Sequence, residues 1–147
     1  MFYYNLMTEQ THCLCGNHIS FEQCCNPYLT NQSFPKTAEA LMRSRYSAFV
    51  VRNATYIQET MRDPALTHFN QEHISESTLH WIKLDVMDTS LGSESDFEGY
   101  VTFRAYYKNE DGNNAIFYLE EKSFFKKVED RWYYVDGDVK LPVEVEG

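Results

Sequence analysis

The chain has 147 residues and a formal net charge of −9. That length suffices for one ordinary domain with a real core, while the acidity argues against generic nucleic-acid binding, which demands local positive charge. Aromatic content is high, with 11 Tyr, 10 Phe and 2 Trp, but no apolar run reaches membrane-spanning length. The amino end, Met1-Phe2-Tyr3-Tyr4-Asn5, has neither a positive n-region nor an apolar h-region, so the reading is a cytoplasmic chain without a secretory signal.

Residues 1–11 are polar and aromatic, and are expected to be ordered only where they pack on the adjoining cysteine-rich segment. All four cysteines lie in that segment: Cys13, Cys15, Cys24 and Cys25. Thiolates at C-x-C and C-C spacing converge on one point only if the intervening loop folds back, and Gly16 permits a tight turn there. Four soft sulfur ligands within tetrahedral reach suit a structural zinc ion. A disulfide framework competes with this reading, but it needs an oxidising compartment, and a bridge between adjacent Cys24 and Cys25 is strained. Redox chemistry remains an alternative, and His12 and His18 flank the cluster as substitute ligands, though an all-cysteine set is simpler.

Cys13-x-Cys15-Gly16, Phe21 and Cys24-Cys25 together resemble the SEC-C zinc knuckle, a motif named for its place in the bacterial translocase ATPase SecA. The run Leu41-Met42-Arg43-Ser44-Arg45-Tyr46-Ser47-Ala48-Phe49-Val50, with Trp132-Tyr133-Tyr134-Val135-Asp136-Gly137, resembles the bacterial YchJ family. The resemblance implies a zinc knuckle joined to an NTF2-like α+β domain, and it brings no established activity. The ligand-bearing loop Asn17-His18-Ile19-Ser20-Phe21-Glu22-Gln23 lacks the basic residues of typical SEC-C loops. The partnership of such loops with an acidic chaperone surface is therefore not implied here. The expected division is a knuckle over residues 1–30 and a cone-shaped domain over 31–147, with a chelator unfolding only the first.

Residues 31–35 read as a linker. Thr37 is a good N-cap with Glu39 in the first turn. Met42, Tyr46, Phe49, Asn53 and Tyr56 then recur on one helical face, widened by Leu41, Ala48 and Ile57. Asn53 is placed to break the rod and cap a second segment over 54–61. Asp63-Pro64 offers a further start for a short helix to about Phe69, and residues 72–79 are ambiguous. Residues 36–62 hold five basic side chains against Glu39 and Glu59, which are expected to pair with acidic strands.

After Leu79 the period changes to two. Ile82, Leu84 and Val86 alternate with Lys83, Asp85 and Met87, the mark of a half-buried strand. Further strands are predicted over 99–108, 115–128 and 131–135, with the strongest turn at 109–114. Helices followed by an antiparallel meander of about four strands give an α+β class, with the helices on one face of a curved sheet.

On the third strand Phe117, Leu119, Glu121, Ser123 and Phe125 share a face. Glu121 therefore stands in an apolar row and needs a partner. Arg45, close to the apolar stripe of the first helix, is the preferred ion-pair partner. Glu121, Arg45, Trp81 and Tyr133 form a candidate pocket, although Trp81 and Tyr133 read equally well as core or rim aromatics. His68, His73 and His80 are scattered upstream, and one of them near Glu121 would make an acid–base dyad. No nucleophile elbow or phosphate-cradling loop is present. The leading expectation is a non-enzymatic adaptor that meets another protein through the zinc knuckle. The alternative is a small-molecule or catalytic pocket at Glu121.

Overall fold

The computed structural model describes residues 12–110 and 114–145. The expectations for residues 1–11, and for the centre of the turn at 111–113, lie outside the described residues. A short helix α1 (Asn26–Leu29) follows the cysteines and leads to the main helix α2 (Ala38–Val51) and then to α3 (Ala54–Glu59). A 3₁₀ turn (Ala65–His68) and α4 (Gln71–Ser75) precede strands β1 (Leu79–Leu91), β2 (Glu98–Asn109), β3 (Phe117–Val128), β4 (Arg131–Val139) and the brief β5 (Val143–Glu144). The sheet is an antiparallel meander, β1-β2-β3-β4, with β5 pairing the start of β3. No helix among the described residues is long and apolar enough to cross a membrane.

The helix boundaries follow from side-chain caps. Thr37 Oγ1 accepts from the Ala40 amide at 3.0 Å, and Asn53 Oδ1 from the Tyr56 amide at 3.0 Å. Each cap satisfies an amide that the first helical turn leaves open. Between the two helices Arg52 takes a left-handed conformation, φ 60°, so Asn53 breaks the rod as expected. The first turn after Asp63-Pro64 is 3₁₀ rather than α, with Thr67 Oγ1 donating to Asp63 Oδ1 at 2.6 Å. Glu129 and Asp130, both at positive φ, make the two-residue turn that joins β3 to β4.

Strand β1 departs from simple alternation. Its register on β2 slips between Trp81 and Lys83 and again between Val86 and Asp88. A bulge places an extra residue on one strand, so Ile82 and Met87 turn outward while Trp81, Leu84 and Val86 face the helices. Alternation predicts that Ile82 shares a face with Leu84; the first bulge is what moves it out.

Helix α2 is buried on two sides. One side meets the sheet through Leu41, Met42 and Tyr46, in one core with Val101, Phe103, Ala105, Phe125 and Trp132. That core also contains Cys13, Cys15 and Cys25. The small residues Ser44 and Ser47 of α2 are fully buried. A second cluster of Ala48, Tyr56, Ile57, Met61 and Ile74 fills the space between α2, α3 and α4. The cysteine segment thus packs into the main core instead of standing off as an appendage.

Of the expected pairing of the basic segment with acidic strands, the described residues show Arg52 with Glu110 at 3.2 Å, just beyond β2 and not within a strand. Arg43 instead pairs within its own helix, to Glu39 at 2.9 Å.

Candidate functional site

The four sulfurs of Cys13, Cys15, Cys24 and Cys25 lie within 4.8 Å of one another, and all four cysteines are free thiols. Cys15 Sγ is 3.8 Å from Cys24 Sγ, and Cys24 Sγ is 3.9 Å from Cys25 Sγ. In a tetrahedral thiolate site with metal–sulfur bonds of about 2.3 Å, neighbouring sulfurs stand about 3.8 Å apart. Those two edges match a four-sulfur metal site, and the cluster could hold a metal ion.

Local backbone geometry brings the sulfurs together. Gly16 sits at φ 97°, open to glycine at little cost, and its amide donates to the Cys13 carbonyl at 3.0 Å. The Cys13 amide in turn donates to the Asn17 carbonyl at 3.0 Å. Around this turn, Asn17 Nδ2 donates to Cys24 Sγ at 3.4 Å, and Ser47 Oγ lies 3.8 Å from Cys13 Sγ. Arg43 Nη1 donates to the Cys15 carbonyl at 2.7 Å. Such outer contacts fix the orientation of metal ligands and tune their charge. His12 and His18 pack edge-to-face on each other at 4.7 Å and are not in the ligand cluster.

Electrostatics point the same way. Hydrogen bonds from the Cys15 and Cys25 thiols pull the Cys13 thiol far below its ordinary value. Those same bonds raise Cys15 to about 11 and push Cys25 higher still. Without a cation the cluster shares its protons, because adjacent thiolates repel. A divalent ion removes that obstacle.

The second site is a cavity of about 350 Å³ between the concave face of the sheet and α2, α3 and α4. Its walls are chiefly aromatic and aliphatic, and Glu121, Arg45 and Trp81 of the candidate pocket are among the residues that line it. So do His68 and His73, whereas His80 lies outside and faces Glu110 at 3.1 Å.

Two expectations need correction. Arg45 forms no ion pair with Glu121. Its Nη1 donates to the Ile57 carbonyl at 2.8 Å and to Thr60 Oγ1 at 2.6 Å, tying α2 to the end of α3. The Tyr134 ring receives the guanidinium face, 4.7 Å from its centroid, and the hydroxyl of the same residue donates to Glu121 Oε2 at 2.7 Å. A tyrosine thus stands between the two charges. Burial lowers the Arg45 pKa to about 10, so the guanidinium stays charged at neutral pH.

Tyr133, the other correction, does not line the cavity. It lies on the opposite face of β4 beneath the Arg62 guanidinium, 3.6 Å from its ring centroid. The segment Trp132-Tyr133-Tyr134-Val135 is apolar throughout, so alternation alone leaves its inward parity open. Pairing decides it: Tyr133 opposes the outward Lys126, and Tyr134 opposes the inward Phe125.

Glu121 Oε2 accepts two hydroxyl hydrogen bonds, from Tyr134 and from Ser123, each 2.7 Å long. Burial and then the Glu121 charge raise the Tyr134 pKa well above its ordinary value, so its hydroxyl keeps its proton and donates. Oε1 has no hydrogen-bond partner among the described residues. Gly137 makes this arrangement possible, since a methyl group there would overlap both the Glu121 carboxylate and the Tyr134 hydroxyl. Gly137→Ala is therefore expected to swing Glu121 away from Tyr134 at modest cost in stability, because the far end of a flexible side chain can yield. A crystal structure of the variant with the Tyr134–Glu121 bond intact would contradict this.

An α+β cone whose helices cover one face of an antiparallel sheet, with a four-cysteine knuckle packed against its main helix, defines a SEC-C-like, NTF2-like protein. Residues 37–137 match the model of the YchJ middle NTF2-like domain, and the chain belongs to the YchJ family. UPF0225 protein plu2503 of Photorhabdus laumondii is 39% identical over 133 residues, covering 89% of this chain and 81% of that protein. A UPF0225 protein of Vibrio cholerae is 35% identical over 133 residues, 90% of this chain and 85% of its own length. Among solved structures, the SEC-C motif containing protein RPA3114 of Rhodopseudomonas palustris superposes with a TM-score of 0.77 at 29% identity, covering 86% of this chain and 97% of that one. A SEC-C motif containing protein of Psychrobacter arcticus gives 0.68 at 28% identity, over 90% and 80% of the two chains.

Proposed function

We propose that this protein binds a small, largely apolar molecule in the cavity beside Glu121, and that its four cysteines hold a structural zinc ion. The carrying observation is a cavity of about 350 Å³ with a carboxylate on its wall, one oxygen of which is held by two hydroxyls while the other has no partner among the described residues. Small-molecule sites combine such volumes with apolar walls and a few oriented polar groups. Zinc is favoured among metals because four thiolates at tetrahedral spacing suit a borderline-soft ion with no geometric preference of its own. The SEC-C motif of the structural neighbours supports the same assignment.

The adaptor reading rests on a narrower base. Three of the four cysteines are buried in the main core, and the loop between the ligand pairs presents Ile19, 48% exposed. A metabolite thermal-shift screen separates the two. The cavity reading expects a hit that stabilises wild type and Ile19→Asp alike but is weakened by Glu121→Gln. Hits lost in Ile19→Asp but indifferent to Glu121→Gln would overturn it.

A further inference from the structure

The cavity holds two opposite fixed charges that do not touch. Arg45 sits on its helical wall, met among the described residues by a carbonyl, a hydroxyl and the face of Tyr134 and by no carboxylate. Glu121 sits on its sheet wall, with no cation paired to it among the described residues. The two fixed charges cancel; beside them the lining carries His68, Asn70 and His73 as its other strongly polar side chains and is otherwise mainly aromatic and aliphatic, with Tyr46, Phe49, Trp81, Phe103 and Phe125 prominent. Adding a net charge to such a space is costly in either sign. An anionic ligand meets the Glu121 carboxylate, and a cationic one meets the Arg45 guanidinium.

Glu121 sets the second requirement. A carboxylate only accepts hydrogen bonds. With Oε2 already taken by Ser123 and Tyr134, what it lacks is a donor at Oε1. We infer that the ligand is a neutral aromatic or alicyclic molecule that presents a hydroxyl or N–H group to Glu121 Oε1. This inference rests on the cavity reading above and narrows it to a chemical class. An ether or ester of the same shape fills the apolar volume but leaves the carboxylate without a donor, and that penalty falls on the complex.

The test uses four probes of one shape on the full-length, metal-loaded protein: 2-naphthol, 2-methoxynaphthalene, 2-naphthoate and 2-naphthylmethylamine, titrated by isothermal calorimetry. Naphthol is expected to bind roughly ten- to a hundredfold more tightly than the ether, the span that separates a made from an unmade hydrogen bond to a charged group. It is also expected to outbind both charged probes. In Glu121→Gln the amide oxygen takes over the two hydroxyl bonds and turns its N–H₂ toward the cavity, so the preference for naphthol over the ether should vanish while both still bind. Equal affinity of naphthol and ether in wild type, or tighter binding of either charged probe, overturns the inference and leaves the cavity reading standing. No binding of any of the four to wild type overturns both.

Discussion

Replacing Cys15 with serine is expected to remove the metal and to lower the stability of the whole protein by several kcal/mol, with the entire chain melting earlier in one transition. A neutral hydroxyl is a hard, weak ligand where a thiolate is required. Structural zinc sites contribute apparent binding energies of about 10–16 kcal/mol in small zinc-binding peptides, and that energy is folding energy. In this fold the contribution cannot stay local. Cys15 has 0% and Cys25 1% relative exposure, and both share a core with Leu41, Val101 and Trp132. Arg43, from the middle of α2, holds the Cys15 carbonyl. Loosening the knuckle uncovers that side of the helix and leaves Arg43 with Glu39 as its one remaining charged partner among the described residues. Elemental analysis should return one zinc per wild-type chain and little in the variant, and a strong chelator should shift the wild-type calorimetric transition downward as a unit. A main transition unmoved by chelation, with a separate minor event for the knuckle, would restore the division at residue 30 that the sequence suggests and refute this expectation.

Trp132→Ala should be the most damaging substitution on the sheet, at about 3–5 kcal/mol, as for other large aromatic deletions from cores. The indole is 1% exposed and lies between the sheet and the start of α2. Its Nε1 donates to the Lys36 carbonyl at 3.1 Å, fixing the approach to the Thr37 cap. Removing it opens a cavity and leaves that carbonyl without its donor. Trp132→Phe keeps most of the volume and forfeits the hydrogen bond, so it should fall well short of the alanine loss. Urea denaturation of the two variants measures this directly. Near-equal losses would mean that the hydrogen bond, not packing, carries the residue.

Particular short stretches announce much of this architecture. The cysteine spacing and Gly16 indicate a convergent turn because both are local. Thr37 and Asn53 indicate helix starts because a cap is made within three residues. Leu119, Glu121 and Ser123 share a face because β3 is regular across them. Ile82 defeats the same argument on β1, where a bulge resets the alternation. Tyr134 escapes it because every residue around it is apolar, so only pairing with β3 reveals which one points inward. The Arg45–Glu121 pairing fails for a different reason. Correct placement of both residues on the cavity says nothing of the Ile57 carbonyl and Thr60 hydroxyl, which reach the guanidinium first.

By itself the order of residues determined the main helix, the four long strands, the α+β class and the clustering of the four cysteines, since each depends on period, caps or spacing over a few positions. Only the packed chain decided that the knuckle lies within the main core and that Gly137 clears room for Glu121. It also decided that Tyr134 stands between buried Arg45 and half-buried Glu121. Those outcomes depend on which distant side chains come within a few ångströms, a matter that register and bulges settle and local pattern does not.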